Sequence, residues 1–200
     1  MDLLASLNAS QREAVQATDG PLRILAGPGS GKTRVITNRV AYLVSTRSVD
    51  PHKILAVTFT NKAANEMRER LDRLLDGAAR SLTIGTFHSV CCRILRTDGE
   101  AVGLSHGFVV YDDDDQVNLI KQSLLELQLD PKTYAPRLIQ SSISAAKSRL
   151  LSEQRHSQGV DSYFEEIVQR VYQRYQALLS QSDAVDFDDI LLKTVRLFEA

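Results

Sequence analysis

The chain has 200 residues, of which 43% are apolar and 24% charged, with 10 Gly and 5 Pro. That is an ordinary globular composition for one large domain or two small ones, and it excludes a disordered or collagen-like chain. The net charge of −1 conceals an asymmetry: residues 21–96 carry 13 basic and 5 acidic side chains, whereas residues 97–136 carry 2 and 8, which points either to an anionic partner for the first stretch or to solvated helix faces.

The opening reads as a helix, with Ser10 and Glu13 spaced as a capping box and Gly20-Pro21 as its stop. Leu22 to Ala26 is a short apolar run expected to be a buried strand. A glycine-rich loop follows from Gly27 to Gly31, then a helix from Lys32 to about Val44. Ile54 to Phe59 is a second strand, so the first 60 residues read as a βαβ unit with a parallel sheet. From Asn61 to about Leu75 a helix keeps Ala64, Met67, Leu71 and Leu74 on one face. Glu66–Arg70 and Glu69–Arg73 are spaced as i,i+4 pairs on the other face, and Gly77 is placed as the stop. Leu82 to Phe87 reads as a third strand and Ser89 to Arg96 as a helix.

Beyond residue 96 the pattern becomes all-helical. Helices are expected over Asp112–Leu127, Leu138–Leu151 and Ser162–Leu179, and a last one starts at Asp186-Phe187-Asp188-Asp189. Residues 137–156 carry four basic side chains and one acidic, which suits contact with duplex phosphates or with a protein. No apolar run approaches the ~18 residues of a membrane span, and the N-terminus lacks a basic leader region. Cys91 and Cys92 are adjacent, and no histidine has zinc-ligand spacing with them. These features together suit a reducing, cytoplasmic setting.

The densest chemistry is in Ala26-Gly27-Pro28-Gly29-Ser30-Gly31-Lys32-Thr33. Between a strand and a helix, this is the context of a phosphate-binding loop. Glycines let backbone N–H groups converge on a phosphate, and the helix N-terminus adds unpaired donors. Lys32 would reach the β- and γ-phosphates of ATP and the Thr33 hydroxyl would ligate Mg²⁺. The one departure from the G-x-x-x-x-G-K-T pattern is Ala26, a small residue at the first glycine position. Upstream, Gln11 has an amide that can pair with adenine N6 and N7 together, although taken by itself it reads as a surface helix residue. Phe108-Val109-Val110-Tyr111-Asp112-Asp113 resembles the end of a magnesium-binding strand; the alternative is a helix start in which carboxylates favour the N-terminus. The same helix-start reading applies to Asp186.

Leu7-Asn8 with Gln11, the loop through Arg34, Thr58-Phe59-Thr60-Asn61-Lys62-Ala63-Ala64 with Glu66-Met67, and Gly85-Thr86-Phe87-His88-Ser89 occur in this order. Together they resemble the N-terminal part of superfamily 1 DNA helicases of the UvrD/PcrA/Rep type, over essentially the whole chain. The resemblance implies a partial P-loop RecA-like α/β core over residues 1–96, an inserted helical subdomain over 97–182 and a return to the core from 183. It implies that Gln11 reads adenine, that Gly27, Pro28, Gly29, Ser30, Gly31, Lys32 and Thr33 hold ATP and Mg²⁺, and that Arg34 lies beside the base. It further implies that Thr58, Phe59, Asn61, Thr86, Phe87 and His88 contact single-stranded DNA. Phe59 and Phe87 fall at strand ends, where open α/β sheets place ligands and an aromatic face can stack a base; without the motif, ordinary core packing is the favoured reading of each. The expected activity is that of an ATP-dependent translocase on single-stranded DNA and single-strand/duplex junctions, in repair or replication and with the proteins of those pathways as possible partners. The family's Asp-Glu magnesium motif and its second RecA-like domain match nothing here, so the chain is expected to be an N-terminal fragment.

Overall fold

The computed structural model describes residues 3–153 and 162–200. Its contacts divide the chain into two compact units, Met1–Val90 and Cys91–Ala200.

The first unit is mixed α/β. Helix α1 spans Ala9–Gln16. Its cap is Asn8 rather than Ser10: the Asn8 side chain accepts from the Gln11 N–H at 2.9 Å and the Gln11 side chain accepts from the Asn8 N–H at 3.2 Å. The expected Ser10–Glu13 box thus lies two residues inside the helix, because Asn8 offers the same oxygen one position after Leu7, which is buried. Helix α2 spans Lys32–Ser45. Strand β1 (Leu55–Thr58) leads to α3 (Asn61–Leu74), capped by the Thr60 hydroxyl, and β2 (Thr83–Thr86) leads into α4 (Phe87–Asp98).

The sheet of this unit is a parallel pair, β1 beside β2, with Thr58 opposite Thr86. Leu22–Ala26 does not join it. That run forms no ladder among the described residues, and Leu25 is 81% exposed. A strand exists only where a neighbour satisfies its N–H and C=O groups, and an apolar run cannot supply that neighbour. The core forms instead where α2 and α3 cover the pair: Val40, Ala41, Ala56, Met67, Leu71 and Ile84 pack together. A second cluster, Leu7, Val15 and Val35, joins α1 to α2. The i,i+4 pairs expected on α3 do not close as ion pairs, and none forms in this unit among the described residues. Exposed pairs gain little in water, and the entropy of two long side chains offsets it.

The second unit is helical, with one addition that periodicity did not reveal. Val109–Val110 (β3) and Ala184–Val185 (β4) pair in parallel. Helices α5 (Asp113–Glu126), α6 (Pro136–Ser148), α7 (Tyr163–Gln181) and α8 (Phe187–Glu199) follow the expected order. Asp112 is a helix cap, accepting from the N–H groups of Asp114 and Asp115, and Asp186 caps α8 in the same way. Ile120, Leu124, Ile139, Ile143, Val171 and Tyr175 form part of the main core.

At the centre of this unit lies a buried charge cluster. The Lys147 ammonium reaches Asp186 Oδ2 at 2.6 Å and Asp189 Oδ1 at 2.9 Å, and all three side chains are essentially inaccessible. The Tyr175 hydroxyl donates to Asp186 at 2.8 Å, and the Gln176 amide donates to Asp189. Burial opposes the charge on Lys147, but the Asp189 and Asp186 carboxylates hold its pKa above the ordinary lysine value. Burial, with Asp186 beside it, pushes the Tyr175 hydroxyl well above its usual range, so it remains a donor. The cluster ties α6 and α7 to the first turn of α8. It also takes Lys147 off the surface, while Arg137 pairs with Asp113 at 3.1 Å. The basic surplus counted over residues 137–156 is therefore smaller at the surface than in the sequence; Arg155 and His156 lie outside the described residues.

Removing one partner from such a cluster strands the others without water. Lys147→Met should lower the unfolding free energy by about 3–5 kcal/mol, read as a lower midpoint in urea with an unchanged slope.

Candidate functional site

The glycine-rich loop runs directly into α2. Gly29 and Gly31 have φ of 73° and 85°, the left-handed region that glycine adopts without cost. A Cβ at Gly31 would lie 2.9 Å from Gln11 Nε2 and would push that side chain aside. The Ser30 hydroxyl closes the loop on the Gly27 carbonyl at 2.7 Å. Pro28, at the loop tip, is exposed. The Lys32 ammonium folds back over the loop and donates to the Ala26 and Gly27 carbonyls at 3.1 and 2.8 Å. It is exposed there and needs only a side-chain rotation to meet an anion at the loop mouth.

Gly31 provides no side-chain cap for α2. Helices α1, α3, α5, α7 and α8 are capped by Asn8, Thr60, Asp112, Ser162 and Asp186, whereas α6, behind Ala135, also lacks a side-chain cap. The first-turn N–H groups of α2 consequently point to the loop mouth with no protein oxygen assigned to them, the donor set an anion requires. Thr33 and Arg34 are exposed on the same turn. The residues present thus fit a phosphate chain: backbone donors, one ammonium group and one hydroxyl for a cation. Among the described residues no cluster of three His, Cys, Asp or Glu side chains could hold a metal alone.

Gln11 is brought to this loop. Its amide donates to the Ser30 carbonyl at 2.9 Å while its oxygen closes the Asn8 capping box. The sequence offered a surface helix position or an adenine reader; the structure makes Gln11 a brace between α1 and the loop. Arg39 adds a second tie that sequence reasoning missed, donating to the Ala14 carbonyl at 2.8 Å and to that of Ala17. Nothing in the local sequence marks Arg39, since both partners lie more than twenty residues away.

The second group of residues gathers at the carboxyl edge of the parallel pair. Because Thr58 is opposite Thr86, the next residues, Phe59 and Phe87, emerge side by side. Their ring centroids are 5.5 Å apart with planes tilted by 43°, an ordinary aromatic pairing. Phe59 is 92% exposed and Phe87 41%, which excludes core packing for Phe59. The threonines shape the turns beneath them. Thr58 donates to the Thr60 carbonyl at 2.9 Å, and Thr86 accepts from the Ser89 N–H at 3.2 Å. Gly85 leaves room for Ser89, whose oxygen would be 2.6 Å from a Cβ at that position. Asn61 and His88 are exposed on the first turns of α3 and α4. Arg68, another residue the sequence did not mark, fixes α3 to β2 through the Ile84 carbonyl at 2.8 Å.

Residues 7–200 match the UvrD/REP helicase N-terminal domain. Curated relatives agree. The chain is 47% identical over 197 residues to the ATP-dependent DNA helicase PcrA of Bacillus subtilis (strain 168), and 48% identical over 199 residues to that of Leuconostoc citreum. It is 44% identical over 197 residues to that of Staphylococcus aureus (strain Mu50 / ATCC 700699). These alignments cover 98–99% of this chain and 27% of each relative. The chain belongs to the UvrD/REP helicase N-terminal domain family.

Proposed function

We propose that this chain supplies part of the first ATP-binding, RecA-like core and the helical insertion of an ATP-dependent DNA helicase that moves along single-stranded DNA. The proposed division is core over residues 1–96, insertion over 97–182 and return to the core from 183. The observation that carries the reading is in the first unit: a phosphate-binding loop at an uncapped helix start, and an exposed phenylalanine pair at the carboxyl edge of a parallel strand pair. The relatives are named ATP-dependent DNA helicases, and this chain spans about a quarter of their length.

In this reading the loop N–H groups and Lys32 bind the β- and γ-phosphates, and the Thr33 hydroxyl ligates Mg²⁺. Gln11 reads the adenine edge with the amide that now braces the loop, and Arg34 lies beside the base. ATP with Mg²⁺ supplies the phosphoanhydride bond whose hydrolysis drives movement. Phe59 and Phe87 take bases on their faces, a contact indifferent to sequence. Thr58, Asn61, Thr86 and His88 line the same edge, and the unpaired cations of the first unit favour the approach of a polyanion. Junctions of single and double strands, the proteins of repair or replication and a cytoplasmic setting follow from the same reading; none of the described helices is long and apolar enough to cross a membrane. A self-contained NTPase using Asp112 for magnesium is disfavoured by the capping bonds that carboxylate makes.

Three measurements test the proposal. Lys32→Ala should abolish binding of a fluorescent ATP analogue to this chain while its circular dichroism stays unchanged. Phe59→Ala, which removes an exposed ring worth about 1–3 kcal/mol per stacked base, should weaken oligo(dT) binding about tenfold in fluorescence anisotropy. Asp112→Ala should cost about 1 kcal/mol of stability as a lost cap and leave magnesium-dependent nucleotide binding intact. Unaltered oligo(dT) affinity in Phe59→Ala would remove the aromatic edge from the DNA path, and loss of nucleotide binding in Asp112→Ala would revive the self-contained reading.

A further inference from the structure

A pocket of about 320 Å³ opens between α2 and α3, lined by Arg34, Thr37 and Asn38 from one helix and Arg70, Arg73 and Leu74 from the other. Three arginines share this hollow and no carboxylate lines it. None of the three forms an ion pair among the described residues. Arg73 commits only its Nε, to the Glu69 carbonyl at 3.2 Å. Neutralising partners are within reach on α3 itself, since Glu66 precedes Arg70 and Glu69 precedes Arg73 by four residues, yet neither pair closes. The floor is fixed: Thr37 and Asn38 are 2% and 6% exposed and are bonded to the carbonyls of their own helix at 2.9–3.1 Å.

Like charges gathered without counter-charge repel, and guanidinium groups recover that cost most effectively from an oxyanion, which they grip with paired, charge-assisted hydrogen bonds. We propose that the α2–α3 pocket is a second oxyanion site, in which Arg70 and Arg73 on α3 hold a phosphate group distinct from the one bound at the glycine-rich loop, while Arg34 marks the edge that the two sites share. The volume is at the small end for ligand pockets. It accommodates a phosphate or diphosphate, or one backbone phosphate of a strand lying across the mouth. Arg34 follows Lys32 by two residues, so the site adjoins the loop, but its far wall belongs to α3. The inference requires neither hydrolysis nor movement on DNA.

The test uses inorganic pyrophosphate as probe and calorimetry in a chloride buffer, on this chain carrying Lys32→Ala so that the loop no longer competes. That variant should still bind pyrophosphate. Adding Arg70→Gln and Arg73→Gln should weaken binding at least tenfold, and Arg70→Lys with Arg73→Lys should restore part of it, because charge returns without the planar fork. If the double glutamine variant melts early, Arg73→Gln alone, at an exposed position, replaces it with an expected loss of about threefold. Displacement of pyrophosphate by unphosphorylated oligo(dT) identifies a nucleic-acid backbone as the source of the phosphate; retention in its presence identifies a free or nucleotide-borne phosphate. The proposal is overturned if Lys32→Ala alone abolishes pyrophosphate binding, or if the arginine substitutions leave the affinity of that variant unchanged.

Discussion

Parallel pairing of two four-residue strands, in the register that sets Thr58 against Thr86, organises the exposed chemistry of the first unit. Parallel neighbours cannot be joined by a tight turn, so a helix must cross between them. That helix is α3, and its Met67 and Leu71 pack against Ala56 and Ile84 from the two strands. The same register makes both strands end at one edge. Two phenylalanines separated by 28 positions in the chain therefore stand 5.5 Å apart. A slip of one residue would turn one of the two strand faces over and separate the rings.

Charge is divided as sharply as secondary structure. Ion pairs among the described residues lie in the second unit, from the exposed Arg137–Asp113 contact to the buried Lys147 cluster. In the first unit several cations are satisfied by backbone carbonyls, as Lys32, Arg39 and Arg68 are. A carbonyl provides a hydrogen bond but no net negative charge, so the positive field of that unit remains available to a partner. In the second unit the charges are consumed in holding helices together.

Much of this was legible in the chain. Helix order follows from apolar spacing, and Asp112 and Asp186 announce their helices because a carboxylate satisfies first-turn N–H groups wherever it stands. Gly29, Gly31 and Lys32 mark the candidate phosphate loop because backbone conformation and charge at that spacing are local properties. The capping box on α1 shows the limit of such signals. Asn8-Gln11 and Ser10-Glu13 are both acceptable patterns, and burial of Leu7 beside Val15 and Val35 chose the first. The Leu22–Ala26 run shows another limit, since its composition suits a strand but no ladder forms there.

The sequence by itself determined the order of the helices, the glycine-rich loop ahead of α2 and the presence of aromatic residues at two strand ends, since each depends on neighbours within a few positions. Only the tertiary structure decided that Gln11 braces the loop, that Phe59 is exposed beside Phe87 and that three arginines share one pocket. It likewise decided that Lys147 serves the interior rather than the surface. Each of these depends on groups far apart in the chain meeting across packed elements, and no local period or charge count encodes which of them meet.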